Sequence, residues 1–395
     1  MAEILKGVRV LDLSQVMAGP FGTMVLGDLG AEIIKVENAD GGDLCRNNRQ
    51  YLHKGESAYF ISLNRNKKSL TLNLRNQKAR QAFFDLVKIS DVVYDNFRPG
   101  TMEKLGVGYD VLKQINPRII CCSVSGFGAN SPFKDRPALD LLIQAMGGVM
   151  SFTGEEKGRP PVRVGYPMGD LAAALYATIS VLGALYHRTV TGEGQQCDIA
   201  MLDAQLSLMT YRAQYYFLAG VIPEPIGSAH ATSIPIRAFK TADGGYVTVE
   251  ASHEKFFRNL CGVIEMPALA QDQRFSSLAA RAKNKEALFA ILEERFLART
   301  RDDWIERLVA GDVPAGPVNN LEEALSNPSI LARDMVAEVD HLGERIKIVG
   351  NPIKMSGLGQ QTFSAPPTLG EHNMEILGGY LNYSAEQIRE VLESS

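Results

Sequence analysis

Apolar and polar residues follow two rhythms over the first 125 positions. The short, mostly apolar runs VRVLDLS (8–14), AEIIKVE (31–37), SLTLNL (69–74), DVVYDNF (91–97) and RIICCSVS (118–125) read as strands. Between them lie GPFGTMVLGDLG (19–30), which ends in a helix-stopping glycine, and QKARQAFFDLVKI (77–89), a helical pattern. Alternating strands and helices predict an α/β fold, a parallel sheet covered by helices. The longest apolar stretch, GYPMGDLAAALYATISVLGALYHR (165–188), predicts one long helix. Leu171, Leu175, Ile179 and Leu182 repeat along one face, and Ala173, Ala174, Ala177 and Ala184 lie on the other. Little of this helix is expected to meet water, and a buried core helix is expected rather than a membrane span.

Further along, GEGQQCDIAMLDAQLSLM reads as a strand and then a helix from about Leu202. The pattern changes at FKTADGGYVTVEAS (239–252), where the turn at 242–245 predicts a hairpin. Amphipathic helices are expected at 285–296 and 302–309, a second hairpin near 336–349, and a last helix over SAEQIREVLE. The predicted organisation is a large domain from 1–200 and 331–395, a linker at 201–224, and a small inserted α+β domain at 225–330.

Composition narrows the function. A net charge of −4 gives no general attraction to nucleic acid or an anionic membrane, so an anionic ligand must meet local cations. The five cysteines form neither a C-x-x-C motif nor an even framework, which suits a reducing cytoplasm. The opening MAEILKGVRVLDLS has no signal-type apolar region. None of the six histidines has metal-site spacing, so no metal is expected, and neither G-x-S-x-G nor a P-loop occurs. The first strand-to-helix loop, SQVMAGPFG, lacks the G-x-G-x-x-G of a dinucleotide turn, which argues against NAD or FAD.

Asp170 is the single acidic residue at the head of the long apolar helix. As an N-cap it would satisfy free amides of the first turn. At a buried helix end it must instead be paired or kept for chemistry, and an ionised, partly desolvated carboxylate is a nucleophile. DNFRPG (95–100) follows a strand, where α/β sheets form ligand crevices; Arg98 and Lys104 there can meet phosphate or can be solvated charges of a turn. Arg65, Lys67 and Lys68 in NRNKKS (64–69) would join them as a basic rim for a small polyanion.

Taken together, these motifs resemble family III coenzyme A transferases, a group related to the α-methylacyl-CoA racemases. The resemblance runs through LKGVRVLDLS, AGPFGTMVLGDLGAEIIKVE, NKKSLTLNL, DNFRPG, NPRIICCSVSGFG, Gly169-Asp170, TGEGQQCDIAMLD, DVPAGPVN and APPTLGEHN, nearly the whole chain. It implies a Rossmann-like large domain completed by the C-terminal segment, an inserted small domain, and two chains interlocked as a homodimer. It implies coenzyme A and acyl-CoA as substrates with a small carboxylic acid, and no tightly bound cofactor. Asp170 matches the family's nucleophile, which would pass CoA through an aspartyl-CoA thioester. Coenzyme contacts would fall on Val16, Met17 and Ala18, on Leu72, Asn73 and Leu74, on Asn96, Phe97 and Arg98, on Lys104, and near Arg136 to Asp140. Asn38 departs from an arginine common in relatives, and Pro137 from a lysine that Arg136 would replace. EASHEKFF (250–257) and Met17 depart from oxalate-specific members, so a larger or dicarboxylic acyl group is expected, with succinyl-CoA or acetyl-CoA as donor. An acyl-CoA racemase is the nearest alternative, but Leu139 stands where racemase relatives have a histidine. A non-catalytic acyl-CoA-binding subunit is a third reading, which an unpaired Asp170 argues against.

Overall fold

The computed structural model describes residues 4–357, 359 and 361–393. Six strands form the main sheet: β1 (Arg9–Asp12), β2 (Glu32–Glu37), β3 (Lys67–Thr71), β4 (Val92–Asp95), β5 (Ile120–Ser125) and β6 (Gln196–Ala200). Their order is β3-β2-β1-β4-β5-β6, and every neighbouring pair is parallel. In such a doubly wound sheet the strand order reverses at β1 and β4, which leaves a crevice at their carboxyl ends.

Strand alternation divides the core into two layers. Val10, Ile33, Tyr94 and Cys122 face one side, where helices α1 (Ala18–Asp28) and α5 (Met168–Thr191) cover them. Leu11, Ile34, Val93 and Cys121 face the other, against α3 (Gln77–Lys88) and the C-terminal helix α8 (Ala385–Glu393). Strands buried on both faces explain why the sequence runs are continuously apolar. The last segment returns to the sheet edge, where His372 N–H donates to Ser69 O at 3.0 Å.

The larger compact unit comprises residues 1–149, 163–220 and 329–395. The stretch expected as a linker is helical over α6 (Met201–Ser207) and α7 (Thr210–Ala219), and residues 201–220 belong to this unit. Residues 150–162 and 221–328 form the second unit. Its sheet is antiparallel: the expected hairpin, Ile236–Lys240 with Tyr246–Glu250, gains a third strand, Ala315–Pro317. Trp304 is fully buried there, its Nε1–H donating to Phe296 O at 2.8 Å.

Helix α5 corrects one expectation. Its alanine face is buried, whereas Ile179 is 62% exposed and Tyr186 74%. Small side chains let α5 approach its neighbours closely. A Cβ at Gly22 of α1 would lie 2.5 Å from Tyr94 Oη and 3.2 Å from Ala174 O, and Thr178 Oγ1 donates to Gly22 O at 3.3 Å. By length and composition α5 could cross a membrane, but half of its most apolar window is buried in the fold.

Candidate active site

Helices α1 and α5 both run back from the carboxyl edge of a parallel sheet, so they point the same way. Since Gly22 touches Ala174, Ala18 and Asp170 each lie one turn, about 5 Å, nearer the crevice. The Asp170 end of α5 therefore lies toward the carboxyl edge of the sheet, beside the start of α1. It is the third residue of α5 and not its cap; Pro167 occupies that position without a side-chain bond. The N-cap expectation fails because the helix starts two residues earlier.

What fixes Asp170 is its neighbour Gly169. Its N–H donates to Asp140 Oδ1 at 2.8 Å, and the other Asp140 oxygen accepts from Gln144 Nε2 at 2.7 Å. Gln144 in turn accepts from Val164 N at 2.9 Å through its Oε1. Both side chains sit on α4 (Asp140–Met146), so this short helix ties down the approach to α5. A Cβ at residue 169 would come within 3.0 Å of Ile143 Cγ2 and 3.2 Å of Asp140 Oδ1, hence the glycine.

The Asp170 carboxylate itself has no hydrogen bond or ion pair among the described residues. Burial, and then the Asp140 charge, push its pKa up to about 7. Tyr59, half-buried on α2 (Ala58–Leu63), has its phenol pushed up to about 12 by burial and next by the Asp170 charge. Neither Tyr59 nor Gln144 stood out in the sequence, because a tyrosine in AYFISL and a glutamine in an apolar helix carry no spacing signal.

Loop 13–17 leads into α1 beside the Asp170 end of α5. Leu13 N–H donates to Tyr94 O at 2.8 Å, and Asn96 holds both backbone groups of Gln15, each at 2.8 Å. The Met17 and Ala18 amides that follow have no partner among the described residues, as expected of the uncapped start of α1. Next to this loop runs a groove of about 340 Å³ lined by Gln15, Asn38, Leu72, Asn73, Phe97 and Leu105. The structure thus brings the predicted Leu72, Asn73 and Phe97 together with the departing Asn38. Asp95 accepts from Phe97 N at 3.0 Å and from Ser123 Oγ at 2.6 Å and so shapes the DNFRPG turn; burial raises its pKa to about 6.

Arg98 and Lys104 are exposed and make no ion pair among the described residues. Arg136 is also exposed, its guanidinium 3.9 Å from the Phe133 ring, and does not line the groove. The basic rim expected from NRNKKS does not form, because the fold uses all three of its charges. Arg65 forks onto Asp28 at 2.8 and 2.6 Å, and Lys67 is fully buried 3.0 Å from Asp12 and 2.8 Å from Thr23 Oγ1. Lys68 pairs with Glu32 and Glu375 at the sheet edge. Against burial, which raises it, the charges of Lys67 and Lys35 hold the Asp12 carboxyl at about 2.

Residues 5–373 match the model of CoA-transferase family III. A human succinyl-CoA:glutarate CoA-transferase is 36% identical over 99% of this chain and 89% of its own length. A succinyl-CoA:mesaconate CoA-transferase from Haloarcula marismortui is 40% identical, with 94% and 95% covered. The crystal structure of a CAIB/BAIF family protein from Brucella suis superposes with a TM-score of 0.85 at 35% identity, covering 97% of this chain and 99% of that one.

Proposed function

This chain belongs to CoA-transferase family III and is a CoA-transferase, and we propose that it moves coenzyme A from succinyl-CoA to a small dicarboxylic acid through an aspartyl thioester on Asp170. The observation that carries this reading is the half-buried Asp170 carboxylate with no hydrogen-bond or ion-pair partner among the described residues, beside an Asp140 whose two oxygens are both engaged.

In the proposed sequence, the Asp170 carboxylate attacks the thioester carbonyl of succinyl-CoA. The C–S bond breaks, leaving an aspartyl-succinyl anhydride and the CoA thiolate. The thiolate then attacks the Asp170 carbonyl and expels succinate, which gives the aspartyl-CoA thioester. The acceptor carboxylate attacks that carbonyl and releases the thiolate again, and the thiolate takes the acceptor's acyl group from the second anhydride, freeing Asp170. A thiol of pKa about 8.5 is a good enough leaving group for a carboxylate nucleophile. Each addition places negative charge on a carbonyl oxygen, and the Met17 and Ala18 amides, which have no partner among the described residues, are suited to receive it. Water is the competitor of both anhydride and thioester, which gives the burial of Asp170 a chemical purpose.

The named donors and acceptors of the two curated relatives support the dicarboxylate choice. The groove along Leu72, Asn73 and Phe97, with Arg98 and Lys104 beside it, suits the nucleotide end of the coenzyme, and no tightly bound cofactor is needed. The apolar side chains exposed on α5 and α7, among them Ile179, Tyr186, Phe217 and Leu218, support an interlocked homodimer. The five free, buried cysteines suit the cytoplasm.

Incubation with succinyl-CoA and, separately, glutarate, mesaconate or oxalate tests the reading by mass spectrometry of the CoA esters. Glutaryl-CoA or mesaconyl-CoA is expected in equal amount to succinate. Hydrolysis of succinyl-CoA with no new ester from any of the acids would overturn it.

A further inference from the structure

Val16 is a β-branched residue at φ +68°, in the left-handed region that favours glycine. A valine stays there only if its surroundings hold it. Its N–H donates to Asp43 Oδ1 at 2.9 Å, and the same oxygen accepts from Cys45 N at 3.0 Å. Lys35 Nζ lies 2.8 Å from Asp43 Oδ2, and both side chains are completely buried. Lys35 also donates to Ser14 O at 2.7 Å. The Lys35–Asp43 pair therefore grips loop 13–17 on both sides of Gln15, whose own backbone groups Asn96 holds.

A buried ion pair contributes little stability beyond what well-packed apolar side chains would supply, so its presence in the middle of a sheet core calls for another role. Here it fixes a conformation that the chain would otherwise leave. The residues directly after the strained turn are Met17 and Ala18, whose amides at the start of α1 have no partner among the described residues. We propose that Asp43, oriented by Lys35, is a positioning residue: it holds Val16 in the left-handed turn that aims the Met17 and Ala18 amides at the carbonyl reacting on Asp170. This rests on the transfer mechanism given above.

Full-length wild type, Asp43→Ala, Asp43→Asn and the Asp43→Ala/Val16→Gly double variant are compared with saturating succinyl-CoA and glutarate. Asp43→Ala lowers kcat roughly 30-fold or more, while KM for succinyl-CoA changes less than about threefold. Asp43→Asn keeps an oxygen for the two amides but turns an N–H donor toward the buried Lys35, so it loses less than Asp43→Ala and stays within about tenfold of wild type. Glycine adopts a positive φ without a clamp, so adding Val16→Gly to Asp43→Ala restores kcat about tenfold. A purely structural Asp43 would lower thermal stability in the alanine variant without any such rescue. A kcat within about twofold of wild type for Asp43→Ala, or a double variant no better than the single one, overturns the proposal. Should the alanine variants not fold, amide hydrogen exchange at Val16 decides. Protection in wild type with kcat kept within about tenfold in Asp43→Asn supports the clamp, and an unprotected Val16 amide or a larger fall in kcat contradicts it. These readouts do not depend on whether Asp170 becomes covalently modified, so failure of the covalent reading is recognised separately.

Discussion

Asp140 holds the backbone amide of the residue immediately before Asp170, and its own charge raises the Asp170 pKa. One carboxylate thus has a donor on each oxygen, and the other has none among the described residues. Burial is the larger cause of the Asp170 shift, and Asp140 adds to it.

Catalysis needs the ionised form, so kcat/KM rises with pH along a limb centred near 7 in the free enzyme. Asp140→Asn keeps an oxygen for Gly169 N–H but removes the neighbouring charge, which favours ionisation of Asp170. Its limb moves to lower pH. A pH profile of both proteins checks this, and an unmoved limb would show that Asp140 has no electrostatic part.

The same shift sets a pH dependence of stability. A carboxyl whose folded pKa is raised favours folding below its unfolded value of 3.8, and that contribution is lost as pH rises through about 7. Asp170→Asn escapes the loss. In urea unfolding at pH 8 it exceeds wild type by up to about 4 kcal/mol, and below about pH 3 the two coincide. A variant no more stable than wild type at pH 8 would mean that the carboxylate finds solvent or a partner.

Arg98 is exposed beside Phe97 of the groove. Arg98→Ala raises KM for succinyl-CoA about tenfold and leaves kcat within about twofold, and the difference shrinks at high salt if the contact is to phosphate. Initial rates at two ionic strengths decide it, and a fall in kcat at unchanged KM would place Arg98 elsewhere.

The doubly wound core was legible because strands such as VRVLDLS and RIICCSVS are apolar on both faces and the helices between them repeat at helical spacing. Asp170 was legible as a lone charge leading an apolar helix. The NRNKKS cations were misread because strand alternation and sheet order bring Lys67 onto Asp12 across 55 residues of sequence, a pairing no local pattern encodes. Lys35 in EIIKVE did carry a usable signal, since a charge inside a two-sided buried strand needs a partner; which partner, Asp43, depended on the fold. Tyr59 and Gln144 reach the site through helices whose sequences look like ordinary core. The exposed face of α5 looked buried because periodicity shows that a face is apolar and not what covers it.

The central claim is a covalent bond at Asp170. Asp170→Ala is expected to lose more than about a thousandfold in kcat while binding CoA within about threefold of wild type. The most direct measurement is to mix active enzyme with succinyl-CoA, quench with hydroxylamine and map the peptides by mass spectrometry. The account predicts a hydroxamate on Asp170 that forms only when succinyl-CoA is present; an active preparation with Asp170 unmodified, or with the label on another residue, would contradict it.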